Sequence, residues 1–305
     1  MVPIQRAALV WSEDLLSYDF GAGHPMRSER CKRGVEEIMK IEGIEILKPR
    51  YATEEELMLF HTESYIKSVK EGHGGDLDTP FSADMYDPAR LSVGATLRAV
   101  EAVVREGYRI AVNVCGGWHH AFEDKARGFC IFNDVVIGAR FAQKLGAERV
   151  FIIDWDEHHG DGTQRAFYDD DSVFTLSIHQ HPATQYPYIS GYEDENHATN
   201  CNIPILPGRS EEDILKEIIP TLPMKIHPFK PDLLIVQMGV DGHKEDPMSS
   251  IDLGDRFYKE ISKVIAGCAK DLEMPVVLLG GGGFNFPKTA ELWRMIVQIF
   301  MEKMV

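Results

Sequence analysis

The stretch VFIIDWDEHHGDG, residues 150–162, sets a run of carboxylates and imidazoles directly after an apolar segment. The apolar part, 150–153, does not alternate with polar residues, which is typical of a strand buried on both faces of a parallel sheet. The remaining residues, 154–162, are too charged for a core strand, because uncompensated buried carboxylates cost free energy. An exposed acidic turn would explain the charges but not their position right after the strand. The stretch therefore predicts a functional site at a strand end.

Strands and helices alternate along the whole chain. Other apolar strands are predicted at 7–11, 109–114, 173–178, 233–238 and 275–279, and helices at 27–41, 87–107 (with Asp87 as N-cap), 133–145, 211–222, 253–269 and 287–301. This alternation predicts an α/β fold with a mostly parallel sheet, helices on both faces, and a single domain over residues 1–305. Ligands bind such sheets beyond the carboxyl ends of the strands. We therefore expect the polar segments 116–120, 239–243 and 280–285 to join 154–162 at one rim.

Composition narrows the class of protein. The 305 residues include 32 basic and 48 acidic side chains, a net charge of −16, which disfavours a nucleic-acid binder. No apolar run reaches the roughly 18 residues of a membrane helix, and the N-terminus, MVPIQRAALVW, is read as a first strand rather than a secretory signal. Five scattered cysteines favour buried thiols, neither disulfides nor a cysteine zinc site, and a reducing cytoplasm.

Three residues form a candidate metal site. Asp156 and His158 are two apart, so in an extended segment both side chains face one side. Asp241, between small residues at the end of a later strand, is the natural third ligand. Three protein ligands with an open position are usual for a catalytic metal, and two carboxylates with one imidazole suit Zn²⁺ or another divalent first-row ion.

His119 and His120 form a second group of candidate catalytic residues. Neighbouring side chains of an extended segment point to opposite sides, so roles as general base and partner acid fit better than joint metal ligation. Asp154 and Asp161 could fix their tautomers, and the nucleophile would be a metal-bound water. The glycine run 280–283 lacks the Lys-Ser/Thr of a phosphate-binding loop, so it predicts close backbone approach to a buried site.

Together these residues resemble the zinc-dependent deacetylases, which comprise histone deacetylases, acetoin-utilisation proteins and acetylpolyamine amidohydrolases. The resemblance runs from 23–25 (GHP) to 280–283 (GGGG), and its most specific blocks are GFCIFND, 128–134, and DEHHGDG, 156–162. It implies the arginase-like deacetylase fold and a hydrolase that acts on amide C–N bonds. The implied cofactors are one Zn²⁺, with Fe²⁺ as an alternative, and a structural K⁺ or Na⁺.

The resemblance also implies roles for individual residues. The implied zinc ligands are Asp156, His158 and Asp241. The implied catalytic set, with His120 as the likelier base of the histidine pair, is His119, His120, Asp154, Asp161 and the position of Phe284. Substrate contacts are implied for Asp78 at the rim and for Gly128, Phe129, Tyr186, Met248 and Gly282. The monovalent cation would use Asp154, Asp156, His158 and Ser177, and Arg30 would line a channel behind the metal.

Phe284 departs from the family pattern, which has a tyrosine after the glycine run. That tyrosine donates a hydrogen bond to the substrate carbonyl and the developing oxyanion. Losing one such donor typically costs about 10²–10³ in kcat. The phenylalanine is an engineered change made to trap a bound substrate, a natural residue, or the mark of a protein that binds without turnover. If it is natural, the acyl substrate is more electrophilic, or another group or water supplies the donor.

The leading hypothesis is a metal-dependent amidohydrolase that removes acetyl or other short acyl groups from lysine or a related amine, with activity reduced by Phe284. A non-catalytic acyl-amine-binding protein is the rival. Met248 stands near where polyamine-specific relatives carry a glutamate, which disfavours but does not remove acetylpolyamines as substrates. A two-manganese ureohydrolase is disfavoured. The expected partners are acylated lysine in a peptide or protein, or a small acylated amine. The segment 72–87 is too short to hold the long loop through which some relatives of the family dimerise, which favours a monomer.

Overall fold

The computed structural model describes residues 6–305, so residues 1–5 of the predicted domain lie outside the described part. The strands are β1 (Arg6–Val10), β2 (Ile44–Leu47), β3 (Tyr108–Asn113), β4 (Val150–Asp154), β5 (Val173–Gln180), β6 (Asn200–Ile205), β7 (Leu233–Gln237) and β8 (Val276–Leu279). They form one sheet in the order β2-β1-β3-β8-β7-β4-β5-β6. Every pairing is parallel. The predicted fold class is confirmed.

The helices pack against this sheet in two groups. They are α1 (Glu29–Ile38), α2 (Glu54–Leu57), α3 (Glu63–Lys70), α4 (Tyr86–Arg105), α5 (Asp134–Lys144), α6 (Asp161–Phe167), α7 (Glu211–Phe229), α8 (Asp255–Asp271) and α9 (Phe286–Met304). One group is the row α7, α8, α9 and α1, and in the other α5 contacts α2, α4 and α6. Across residues 6–305, no helix is long and apolar enough to span a membrane.

The central strands explain why the sheet forms. All residues of β4, β7 and β8 are buried, as expected for strands covered on both faces. The two strands that sequence patterning misses are the edges. β2 is short and its residues are half-buried or exposed, while β6 reads NCNIPI, with polar residues and a proline that an edge strand tolerates.

Two predicted helix boundaries are wrong. Asp87 is not the N-cap of α4, because the helix already begins at Tyr86 after a short 3₁₀ turn, and Asp87 lies in its first turn. The other helix, α7, continues past residue 222 to Phe229 although Pro223 and Pro228 lie in the added part. Its buried apolar positions repeat through Leu222, Ile226 and Phe229, so packing against the core outweighs the lost backbone hydrogen bonds.

Sheet order determines where the site lies. The polar segments that end strands follow β3, β8, β7 and β4, which are four consecutive strands at the centre of the sheet. Because the strands are parallel, their carboxyl ends all open at one edge. Four loops that are far apart in the chain therefore meet above the middle of the sheet.

Candidate active site

Three side chains that could ligate a metal ion converge above β4 and β7. One ligand atom each from Asp156, His158 and Asp241 lies within 4.8 Å of the other two. His158 Nδ1 is 3.1 Å from Asp156 Oδ1 and 2.9 Å from Asp241 Oδ2. Two carboxylate oxygens and one imidazole nitrogen form a donor set suited to Zn²⁺ or a related divalent ion.

The outer oxygens of both aspartates are held by the protein. Asp156 Oδ2 accepts hydrogen bonds from the Gln237 side chain at 2.8 Å and from the Gly282 backbone at 2.7 Å. Asp241 Oδ1 accepts one from the Glu157 backbone at 2.9 Å. These donors orient the remaining oxygens towards His158, the kind of support that fixes metal ligands in place.

The electrostatics of this cluster favour a positive charge among the three side chains. Burial and the charge of Asp156 raise the pKa of Asp241 to about 7. Burial lowers the pKa of His158, but hydrogen bonds and charges from the two aspartates outweigh it and raise the pKa well above its usual value. A bound divalent cation would compensate the crowded carboxylates, so the three residues fit a metal ion.

Beside the metal-ligand cluster, each of the tandem histidines has its own carboxylate. His119 Nδ1 donates to Asp154 Oδ2 at 2.6 Å, and His120 Nδ1 donates to Asp161 Oδ1 at 2.8 Å. The expectation that the adjacent rings point to opposite sides is wrong. Their Nε2 atoms lie 3.0 Å apart, because residues 118–120 are an irregular loop rather than a strand.

Two Nε2 atoms that lie 3.0 Å apart cannot both point a lone pair at each other, so one of them must carry a proton. Burial lowers the pKa of His119, but the charges of Asp154 and Asp156 outweigh it and raise the pKa to about 9. Burial and the charge of His119 lower the pKa of His120 to about 4. At neutral pH the pair therefore holds one charged ring, His119, and one neutral ring, His120, a separation typical of acid–base sites.

A tunnel with a volume of about 150 Å³ that water can enter leads to these groups. Phe129 and Phe284 face each other across it, with ring centroids 6.1 Å apart and planes at 81°. Tyr186 packs edge-on against His120 at 5.0 Å. Gly128, Gly282, Asp78 and the half-exposed Met248 also line the tunnel, so the sequence-predicted substrate residues come together.

Arg30 and Ser177 lie outside the tunnel lining. Arg30 is fully buried and donates from Nη1 to the carbonyl of Gly281, which lines the tunnel, while its Nε and Nη2 have no partner among the described residues. Ser177 stands beside Asp154 in the β4–β5 register, and its hydroxyl lies 2.8 Å from His179 Nδ1. The role of these two residues in a channel and a cation site stays a prediction.

Several residues that support the site were given no role from sequence. Asp246 holds two parts of the tunnel wall, because its carboxylate accepts from the backbone of Phe284 at 2.6 Å and of Met248 at 3.0 Å. Asn133 donates to the carbonyls of His119 and Ala121 at 3.1 and 3.2 Å. Asn133 belongs to the block 128–134 and Asp246 follows the Asp241 segment, so their place in those segments was the available signal.

A rim of four loops brings together three side chains suited to a metal ion, two histidine–carboxylate pairs and an aromatic tunnel, and this combination is typical of a deacetylase site. The chain belongs to the histone deacetylase family, since the family pattern described as the histone deacetylase domain matches residues 24–300. The predicted family is confirmed.

Individual relatives are similar over most of their length. The acetoin utilization protein AcuC of Bacillus subtilis is 33% identical over 96% of this chain and 80% of its own, and histone deacetylase 8 of Xenopus tropicalis is 30% identical over 91% and 78%. Among solved structures, a histone deacetylase homologue from Aquifex aeolicus matches with a TM-score of 0.85 and 31% identity, covering 98% of this chain and 84% of that one. A structure of such a homologue complexed with SAHA gives the same score and identity.

Proposed function

We propose that the protein is a metal-dependent amidohydrolase that removes acetyl or other short acyl groups from acyl-lysine or a related amine. One observation carries this proposal: the ligand atoms of Asp156, His158 and Asp241 converge beside the paired histidines at the inner end of an aromatic tunnel. The tunnel walls suit the apolar stem of an acylated side chain, while the polar groups lie where its amide would sit.

Asp156, His158 and Asp241 would hold one Zn²⁺, or Fe²⁺ in its place. When bound, the metal polarises the amide carbonyl and makes water acidic enough to act as a nucleophile near neutral pH. Gln237 and the backbone of Gly282 keep Asp156 oriented for this task.

The chain itself supplies the proton transfers. His120, neutral at pH 7 and with Nδ1–H fixed on Asp161, takes the proton of the attacking water at Nε2. The proton then passes to the nitrogen of the leaving amine. His119, held by Asp154 through Nδ1, is placed to stabilise negative charge that develops on the substrate.

Phe284 lacks the hydroxyl with which the family's tyrosine donates a hydrogen bond to the oxyanion. Its ring continues the apolar wall but offers no donor to the developing oxyanion. Tyr186 is the hydroxyl-bearing residue among those that line the tunnel, so it is the residue to test as a substitute donor. We expect a weakened hydrolase rather than an inert binder, because both histidine–carboxylate pairs are intact.

The deciding experiment measures acetate release from acetyl-lysine peptides and acetylated polyamines, comparing the zinc-loaded protein with Phe284→Tyr. Restoring the hydroxyl should raise kcat by about 10²–10³ because an oxyanion donor is worth that much. His120→Ala in the Phe284→Tyr background should abolish the gain, which ties it to the paired histidines.

Other outcomes separate the alternatives. Substantial activity that Phe284→Tyr does not raise, but Tyr186→Phe lowers, would identify Tyr186 as the donor. If both proteins bind the peptides and neither releases acetate, the second candidate, a non-catalytic acyl-amine-binding protein, replaces the enzyme; the missing hydroxyl at Phe284 is the observation that favours it. If the protein releases acetate from acetylated polyamines but not from the peptides, acetylated polyamines replace acyl-lysine as the proposed substrate.

The proposal also covers the domain extent, the oligomeric state, a monovalent cation and the cellular location. We propose one domain over residues 1–305, a monomer, a structural K⁺ or Na⁺ near Asp154 and Ser177, and a cytoplasmic location. All five cysteines are buried and free, in keeping with a reducing compartment. Analytical ultracentrifugation, metal analysis after exchange into potassium or sodium buffers, and cell fractionation test these points.

A further inference from the structure

Asp161 orients His120, and its two carboxylate oxygens have different partners. Oδ1 accepts the His120 Nδ1–H at 2.8 Å and the Gly162 backbone N–H at 3.1 Å. Oδ2 lies 2.9 Å from Nη2 of Arg127. Oδ2 forms no hydrogen bond within residues 6–305, so the ion pair with Arg127 is its polar contact there, and the Asp161 side chain is 2% exposed. Oδ1 is therefore held by His120 and the Gly162 backbone, whereas Oδ2 is paired only with the Arg127 cation.

Arg127 is held in place from two directions. Its guanidinium carbon lies 4.5 Å from the centre of the Phe122 ring and 5.6 Å from that of Tyr186, both in cation–π contact. Its backbone forms two hydrogen bonds with Cys130, at 3.0 and 2.8 Å, and these close the turn that carries Gly128 and Phe129. Arg127 thus links the tunnel wall to the carboxylate behind His120.

We propose that Arg127 is a positioning residue, which fixes the Asp161 carboxylate so that His120 presents Nε2 to the reacting water. This inference rests on the proposed function for the role of His120. A buried carboxylate that loses its cation must rotate towards another donor or draw in water, since an unpaired buried charge is costly. Either movement would turn the imidazole bonded to Oδ1, and misplacement of about 1 Å can cost about 10²-fold in rate.

The test compares Arg127→Met with Arg127→Lys and a matched control, Arg165→Met. Arg165 stacks on the same Phe122 ring at 5.0 Å, but its side chain is 55% exposed and pairs with Glu123 rather than Asp161. All variants are made in the zinc-loaded Phe284→Tyr protein. Arg127→Met should lower kcat by about 10- to 100-fold with a smaller change in KM, and Arg127→Lys should recover most of the loss. Arg165→Met should match its parent.

A double variant isolates the route of the effect. If Arg127 acts through Asp161, adding Arg127→Met to Asp161→Asn should change kcat little, because the two substitutions remove one unit. Losses that simply multiply, or an equal loss in Arg165→Met, would overturn the inference.

Proton NMR provides a readout that needs no turnover. The Nδ1–H that His120 donates to Asp161 should give a low-field resonance, assigned by its loss in His120→Ala. It should shift or broaden in Arg127→Met while the His119–Asp154 resonance stays, and both should persist in Arg165→Met. An unchanged His120 resonance in Arg127→Met would overturn the inference. If no variant turns over substrate, the proposed function fails, and this spectrum still decides whether Arg127 positions Asp161.

Discussion

At the scale of single residues, the site depends on like charges brought together. Asp156 and Asp241 both place an oxygen within about 3 Å of His158 Nδ1. Their outer oxygens are already fixed by protein donors, so neither carboxylate is free to turn away. This crowding of two carboxylates favours a cation among the three side chains.

A metal-free preparation should show the electrostatic cost of this crowding. The pKa of Asp241 rises from 3.8 to about 7, so the folded apoprotein binds a proton more readily than the unfolded chain, and this group's contribution to stability falls as pH rises from about 4 to 7. Asp241→Asn should raise the Tm of the apoprotein at pH 7.5 and abolish the rise in Tm on adding zinc. Differential scanning fluorimetry measures both effects.

The control for this substitution is Asp252→Asn, which changes an exposed acid nearby. It should keep the full zinc-induced rise in Tm. An Asp241→Asn protein that zinc stabilises as much as the parent would contradict the assignment of Asp241 as a ligand.

At the scale of elements, the N-terminus of α5 anchors the histidine loop. Asn133 caps the helix by accepting from the Val136 backbone at 3.0 Å, while its amide group donates to the carbonyls of His119 and Ala121. The next residue, Asp134, accepts from the backbone of Trp118 at 2.7 Å. One helix end therefore holds the segment that carries both histidines.

Asn133→Ala should destabilise the protein by about 2–3 kcal/mol, from the lost cap and two lost hydrogen bonds. It should also lower kcat by about tenfold, because the histidine loop loses its anchor. Urea unfolding and acetate release measure the two effects, with Phe284→Tyr as parent protein.

Ser210→Ala is the matched control, since Ser210 caps α7 at Asp213 at an exposed site. It should cost about 1 kcal/mol and leave kcat unchanged. Equal losses of kcat in the two variants would show that the effect of Asn133 is general destabilisation.

At the scale of the whole molecule, the parallel sheet buries polar groups as well as apolar ones. His61 is 2% exposed, packs among Phe60, Tyr65 and Phe132, and accepts a hydrogen bond at Nε2 from the Asn133 backbone. Burial lowers its pKa to about 3. Burial likewise lowers the pKa of His179 to about 4. Between about pH 4 and pH 6.5 these histidines stay neutral in the folded protein and become protonated once it unfolds.

Stability should therefore fall as the pH drops below about 6.5. Between about pH 6.5 and about pH 3, His61 is protonated in the unfolded chain but not in the folded protein. Each unit by which the pH falls in this range therefore lowers the free energy of unfolding by up to about 1.4 kcal/mol for this residue. His61→Asn should reduce this slope in urea titrations run from pH 7 to 4. His73→Asn, at an exposed position, should leave it unchanged; an unchanged slope in His61→Asn would contradict the prediction.

Much of this arrangement followed from local pattern. The runs 150–153 and 233–238 read as buried strands, and the polar segments after them read as site loops, because burial on both faces and a change of polarity are local properties. The edge strands β2 and β6 could not be found in this way, since short, half-exposed or polar strands resemble loops until a neighbour pairs with them.

The sequence alone determined the α/β class, the pairing of Asp156 with His158 on one side of a segment and the tandem histidines, since each follows from neighbours within a few positions. Only the tertiary structure decided that β8 and β7 lie between β3 and β4, that the two Nε2 atoms face each other, and that Arg127 reaches Asp161. The physical reason is that strand order and side-chain convergence depend on packing between distant segments, which no local period encodes.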